Sequence, residues 1–303
     1  MSGTKEQVLA RLKQQIHDLG HHVALPEGDT SDWQRPNSLT LRQGFFGIPQ
    51  MDKCLPDGQL TDGAVHEFVP ASHSDFPAAL GYALCCLQRL QRRNVKERPV
   101  LWCSSTHRGD YPGNLHPHGL MCLGLNPANF LHIRVSSEKE FLWVLEESLA
   151  SEACPLVIGA YIGAEKNYDF TVSRRLALRA SRVGSTLLII RNYRAVEGEE
   201  RSSVTAALTR WSVQGAPSAP EFFKNAHIPA MGKPRWQVKL TRCRGGRTGQ
   251  WQLEWQHETH SFNLVSSLVN RAAVHKPTRS PFAATANVTI RDQAGASRKI
   301  RRG

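Results

Sequence analysis

Residues 63–77 read Gly63-Ala64-Val65-His66-Glu67-Phe68-Val69-Pro70-Ala71-Ser72-His73-Ser74-Asp75-Phe76-Pro77. Residues 64–69 read as a short strand, apolar except at His66 and Glu67; the strands as a set are nearly continuously apolar, as expected when helices cover both faces. Residues 75–93 read as the helix that follows it. The alternation continues with strands at 99–104, 130–135, 156–160 and 185–191 and helices at 118–123, 138–150 and 172–183. Short apolar strands alternating with helices predict βαβ units, hence an α/β fold with a mostly parallel sheet and helices on both faces. After Arg191 the helical pattern stops. Residues 206–213, 235–243 and 250–256 look antiparallel, and Gly245-Gly246 within 244–249 predicts a hairpin loop between the last two.

In such a sheet, ligands sit outside the carboxyl ends of the strands, and the first βα turn is the usual phosphate site because a helix N-terminus points there. A phosphate loop needs glycines for close backbone approach and a Lys-Ser/Thr pair for phosphate and magnesium. The turn 70–77 has no glycine and no lysine, and it carries a carboxylate at Asp75. The glycine pairs Gly109/Gly113 and Gly159/Gly163 also lack a following Lys-Ser/Thr.

Composition sets outer bounds. The chain has 303 residues, 40% hydrophobic and 21% charged, enough to bury a sizeable core. Its longest apolar runs, such as 185–190 and 155–160, fall far short of the roughly 20 residues that span a bilayer, so no membrane segment is expected. The first 20 residues lack the apolar centre and small-residue cleavage site of a secretion signal, which predicts a cytoplasmic protein. Seven cysteines at irregular positions, with Cys85 and Cys86 adjacent and no C-x-x-C pair, argue for reduced thiols over disulfides or zinc. His116 and His118 have a spacing a metal could use, but no ligand-like partners stand nearby; neither metal nor cofactor is expected.

Charge is unevenly spread. Residues 233–303 hold 14 Lys/Arg against 3 Asp/Glu, whereas residues 1–232 hold 24 against 23. A basic excess confined to one segment reads as a footprint for nucleic acid or an acidic partner. Four regions follow. Residues 1–20 form a helix with Val8, Leu9, Leu12, Ile16 and Leu19 along one stripe; residues 21–44 form a Pro/Gly-rich linker; residues 45–270 form the core; residues 271–303 form a basic, disordered tail ending Arg298-Lys299-Ile300-Arg301-Arg302. Within the core, Phe141, Leu142, Leu145 and Leu149 mark the face of a core-covering helix, leaving Trp143, Glu146 and Glu147 for packing or solvent. In the hairpin, Arg242, Arg244 and Arg247 accompany Trp236, Trp251 and Trp255. Two readings stand: arginines on phosphates with tryptophans stacking bases, or tryptophans as the inner face of a small sheet beneath solvated arginines.

The strand 63–69, preceded by Gly47-Ile48 with Leu55-Pro56-Asp57-Gly58 between, resembles the strand that leads into the phosphate loop of RecA-type recombinases. The resemblance puts Pro70 and Asp75 at the loop's glycines, Phe76 at its lysine and Pro77 at its threonine. It puts Ala160 or Tyr161 at the magnesium-associated acid, and Ser105 or Thr106 at the carboxylate that polarises water. Every one of these positions is replaced, which implies that the nucleotide site is degenerate. More closely, residues 63–67, the helix Phe141-Leu142-Trp143-Val144-Leu145-Glu146-Glu147-Ser148-Leu149, and the stretch from Arg235-Trp236 through Arg242-Cys243-Arg244-Gly245-Gly246 to Glu254-Trp255 resemble the ImuA family of bacterial inducible-mutagenesis operons, over roughly residues 45–270.

That resemblance implies a non-catalytic, RecA-like accessory role in SOS-induced, error-prone translesion synthesis after DNA damage. The implied partners are RecA, an ImuB-type protein related to Y-family polymerases, and an error-prone C-family DNA polymerase. DNA contact is expected through the basic C-terminal region, with Arg242, Arg244, Arg247, Arg298, Lys299, Arg301 and Arg302 as the candidate contacts. This places the protein on the nucleoid during DNA damage. The N-terminal helix, through Leu9, Leu12 and Ile16, resembles a docking arm for RecA or for a second copy; it could also cap its own core. Two other classes remain open: a general DNA-binding protein, and a hydrolase using His107, Asp110 and His116 in the loop after strand 99–104.

Overall fold

A computed structural model of the protein describes residues 44–93, 98–105, 114–161, 167–191, 204–222 and 230–267. In chain order its elements are α1 (Pro49–Asp52), β1 (Val65–Pro70), α2 (Phe76–Arg92), β2 (Val100–Ser105), α3 (Pro117–Cys122), β3 (Phe130–Val135), α4 (Glu138–Ala150) and β4 (Leu156–Ala160). There follow α5 (Phe170–Val183), β5 (Thr186–Ile190), β6 (Thr209–Ala216), β7 (Arg235–Cys243), β8 (Gly249–Gln256) and β9 (Ser261–Ser267). The strands form one sheet in the order β3-β2-β4-β5-β1-β6-β7-β8-β9. Pairings from β3 across to β6 are parallel, and β7, β8 and β9 add on antiparallel. This is a RecA-like α/β fold with helices on both faces of a mostly parallel sheet.

The period-two alternation of the strands divides the interior into two cores. In β5, Leu188 and Ile190 face the core built on α2, and Leu187 and Ile189 face the core built on α4 and α5. Central strands buried on both faces therefore carry mostly apolar side chains, which is why residues 100–103, 156–160 and 187–190 read as unbroken apolar runs, whereas β1 buries His66 and Glu67 with hydrogen-bond partners. On the first face, Tyr82 of α2 lies within 5.5–6.5 Å of the rings of Phe46, Phe68, Trp211, Trp236 and Phe262. On the second, α4 buries Phe141, Val144, Leu145 and Leu149, while Glu146 pairs with Arg175 and Arg179 of α5.

Local signals set the boundaries. Ser137 caps α4 by accepting the Glu140 N–H, and the Glu140 carboxylate accepts the Ser136 N–H. Asp169 caps α5, and Gly184, at φ 79°, ends it in the left-handed conformation. The core begins at Phe45 and Phe46 because the Asp52 carboxylate accepts the N–H groups of Phe46 and Ile48 at 2.7 and 3.0 Å, and Arg89 donates to the Phe45 carbonyl. Both phenylalanine rings are thereby tied into the α2 core.

Two expectations are corrected. Residues 206–213 were expected to be antiparallel; β6 instead runs parallel to β1, with Glu67 opposite Arg210, and only its β7 side is antiparallel. The 18 residues between Ile190 and Thr209 are enough for a crossover from β5 past β1 to its far side, so the loss of helical periodicity did not mark the end of parallel pairing. The sheet also gains a further strand, β9, whose Phe262 and Leu264 pack on the α2 core. The N-terminal helix, the linker and the tail lie outside the described residues, as do Leu9, Leu12, Ile16, Arg298, Lys299, Arg301 and Arg302.

Candidate functional site

At the first βα turn, β1 ends at the buried Pro70, and Ala71 donates its N–H to the Val213 carbonyl of β6. A single 3-10 turn, His73–Asp75, then leads into α2. The Asp75 carboxylate accepts the Ser72 hydroxyl at 2.5 Å and the Gly215 N–H at 2.9 Å, so it fastens the turn to β6. Phe76 turns inward at 4% exposure and joins the α2 core, and Pro77 opens the helix without an N–H to offer. Ala160, at the carboxyl end of β4, has no exposed surface, and the following Tyr161 donates its hydroxyl to Glu138. The turn is thus occupied by its own side chains, a core phenylalanine and an internally bonded carboxylate.

A second buried constellation lies on the opposite face. Glu67, fully buried in β1, accepts from the Arg210 guanidinium at 2.6 Å, the Thr205 hydroxyl at 2.7 Å and the Tyr168 hydroxyl at 3.1 Å; Arg191 stands 3.5 Å away. The Arg191 guanidinium also lies over the Tyr168 ring, 4.5 Å from its centroid. The cluster joins β1, the end of β5 and the start of β6, and pins the residues just before α5. One carboxylate shared by two guanidinium groups, with its other lone pairs taken by hydroxyls, is a structural tie, since no apolar isostere could leave the arginines satisfied.

Thr205 belongs both to this cluster and to the wall of a cavity of about 430 Å³, lined by Phe170, Arg174, Thr205, Ala206, Arg242 and Arg244. A β-bulge builds it. Trp236, Val238 and Leu240 of β7 point into the α2 core, and strict alternation would send Arg242 after them. Instead, Trp211 pairs with Leu240 and Arg210 with Arg242, leaving Thr241 as the extra residue, its hydroxyl donating to the Arg210 carbonyl. The bulge moves Arg242 to the α5 face, beside Arg174 and above the Glu67 cluster. Arg244 follows, with its N–H on the Leu208 carbonyl.

Among the described residues, the other arginines of this part of the chain are mostly committed. Arg175 and Arg179 hold Glu146, Arg191 and Arg210 hold Glu67, and Arg235 holds Glu254 at 2.5 Å. Arg174, Arg242 and Arg244 have no described carboxylate partner.

Of the three hairpin arginines expected to bind, the structure brings Arg242 and Arg244 together; Arg247 is exposed and lies elsewhere, its N–H on the Cys54 carbonyl. The tryptophans fall on the other face: Trp236, Trp251 and Trp255 are buried in the α2 core, which decides in favour of the inner-face reading and removes them as base-stacking platforms. The aromatic ring beside these arginines is Phe170, which sequence reasoning missed together with Arg174. The signal was present as Phe170, Arg174 and Leu178 at four-residue spacing along the exposed face of α5. Of the alternative catalytic set, His107 and Asp110 lie outside the described residues, and His116 is exposed ahead of α3.

The sheet order, the two helix-covered faces and a first βα turn filled by its own side chains define a RecA-like α/β protein. The chain is 32% identical over 232 residues to Protein ImuA of Caulobacter vibrioides in two strains, NA1000 / CB15N and ATCC 19089 / CIP 103742 / CB 15, an alignment covering 74% of this chain and 89% of each relative. It belongs to the ImuA family. No protein-family model matches it. No helix among the described residues is long and apolar enough to cross a membrane.

Proposed function

We propose that this protein is a non-catalytic, RecA-like accessory factor in SOS-induced, error-prone translesion DNA synthesis. It acts by binding RecA, an ImuB-type protein with its error-prone polymerase assembly, and DNA through its basic C-terminal region. The observation that carries the non-catalytic part is Phe76, a core side chain at the position to which the resemblance assigns the phosphate lysine. A working loop there would have to expel this ring and release Asp75 from Gly215. Kinship with the ImuA proteins supports the rest. On this reading the protein works in the cytoplasm and joins the nucleoid during DNA damage.

The experiment has two arms. Purified protein is expected to show no ATP retention and no turnover above a no-enzyme control; either would sink the non-catalytic reading. Tagged protein drawn from DNA-damaged cells is expected to bring down RecA and the polymerase-like partner, and deletion of residues 1–20 to weaken the RecA contact. Recovery of neither partner would remove the assembly role and leave a general DNA-binding protein, whose function would vanish on truncation at Arg271.

A further inference from the structure

The cavity between α5 and the β7–β8 hairpin has a composition that selects its ligand. Three guanidinium groups from two elements converge on a space of about 430 Å³, none holding a described carboxylate. The guanidinium fork matches the oxygens of a phosphate or a carboxylate. What separates these is the neighbour: Phe170, a lining residue, keeps 43% of its surface exposed, an aromatic face held beside the cations. Phosphates and unstacked bases alternate along a single strand, and that pairing of charge with an open ring is how proteins hold it. Bases inside a duplex are stacked on each other and cannot reach such a ring. Arg242 and Arg244 belong to a basic stretch, 6 Lys/Arg against 2 Asp/Glu over residues 233–267, whose field draws a polyanion.

We propose that this cavity is a single-stranded DNA site in which one phosphodiester sits among Arg174, Arg242 and Arg244 and the adjoining base stacks on Phe170. The site rests on the DNA-binding part of the function proposed above and gives it an address and a strand preference. The Thr241 bulge is its building device, since without it Arg242 would face the α2 core. Thr205 and Glu67 act below it as positioning residues that hold the wall of the cavity against β1.

The test uses the full chain. Its anisotropy with labelled oligo(dT) and with a hairpin duplex is compared with that of Arg242→Gln/Arg244→Gln, Arg174→Gln and Phe170→Ala, each checked for folding by thermal melt. The basic tail contributes equally to all, so ratios isolate the cavity. The double variant is expected to weaken oligo(dT) binding about tenfold or more. Phe170→Ala is expected to weaken it about fivefold or more, while changing duplex binding less than twofold. Independently of any variant, a 5-iodouracil-substituted strand is expected to photocross-link to the peptide that carries Phe170. That measurement decides the matter if the variants misfold.

Folded variants within twofold of wild type, or cross-links confined to other peptides, would overturn the site. Displacement of the strand by dTMP at equal phosphate concentration would identify the ligand as a free nucleotide and also overturn it. Loss of partner proteins with DNA binding intact would make the surface a protein-docking one, with the same consequence. Failure here leaves the partner contacts untouched, whereas failure of the co-purification leaves this site standing.

Discussion

His66 and Glu67 are consecutive in β1 and fully buried on opposite faces of the sheet. The His66 ring donates Nε2–H to the Thr61 carbonyl and accepts the Thr209 hydroxyl at Nδ1, a fully paired neutral imidazole. Burial, the largest influence, pushes its pKa down to about 4. The folded state therefore binds its proton less readily than the unfolded chain. His66 contributes fully above about pH 6.5, and its contribution, on the order of 3 kcal/mol, is lost as pH falls toward 4. Urea midpoints at pH 7 and pH 4.5 should differ accordingly, and His66→Gln should flatten the difference; an equal pH dependence in that variant would refute the assignment. Glu67→Gln replaces the carboxylate shared by the Arg191 and Arg210 guanidinium groups with a neutral amide and should cost about 3–5 kcal/mol in chemical denaturation.

At the scale of elements, the hairpin strand β7 carries two patterns joined by one inserted residue. Ahead of Thr241 it is a strict inside-outside strand; after it, the parity is reversed and Arg242 joins the α5 face. Deleting Thr241 removes the inserted residue, so Arg242 follows Leu240 directly and keeps the α5 face in continuous register with Arg210. The expected loss is the Thr241 hydroxyl's bond to the Arg210 carbonyl, on the order of 1 kcal/mol in urea denaturation, with the emission of the buried tryptophans unchanged. A shift of that emission in the folded variant would mean that Arg242 had turned into the α2 core. β7 also shows why the sequence left the tryptophans between two readings. Arginine and tryptophan close together in sequence occupy opposite faces of a strand, so the residues that looked like one binding patch belong to a core and a cavity on either side of the sheet.

For the whole molecule, the decisive quantity is the uneven distribution of charge along the chain. The α/β body is stabilised by two apolar interiors on either side of the sheet, while the excess of Lys/Arg is confined to residues 233–303. If about six of those cations meet phosphates, affinity for DNA should fall by about 10³-fold between 50 and 200 mM salt, measured by anisotropy. A flat salt response would assign the basic segment to solubility instead.

The order of strands and helices from residue 63 to 190 was legible in the sequence because each element is its own local pattern: mostly apolar short runs for strands and three- and four-residue spacing for helices. The absence of glycine and lysine at residues 70–77 was equally local, a matter of which residue types are present. Tertiary structure alone decided that β6 lies parallel to β1, because strand direction depends on where a connection returns and not on the strand's own residues. It alone turned Phe76 into the core, bonded Asp75 to Gly215, and brought Arg174 of α5 to Arg242 and Arg244 of the hairpin. Those contacts join residues that are up to 140 positions apart. The direction of Arg242 hangs on a single bulge, and no short window of the sequence contains both partners of these contacts.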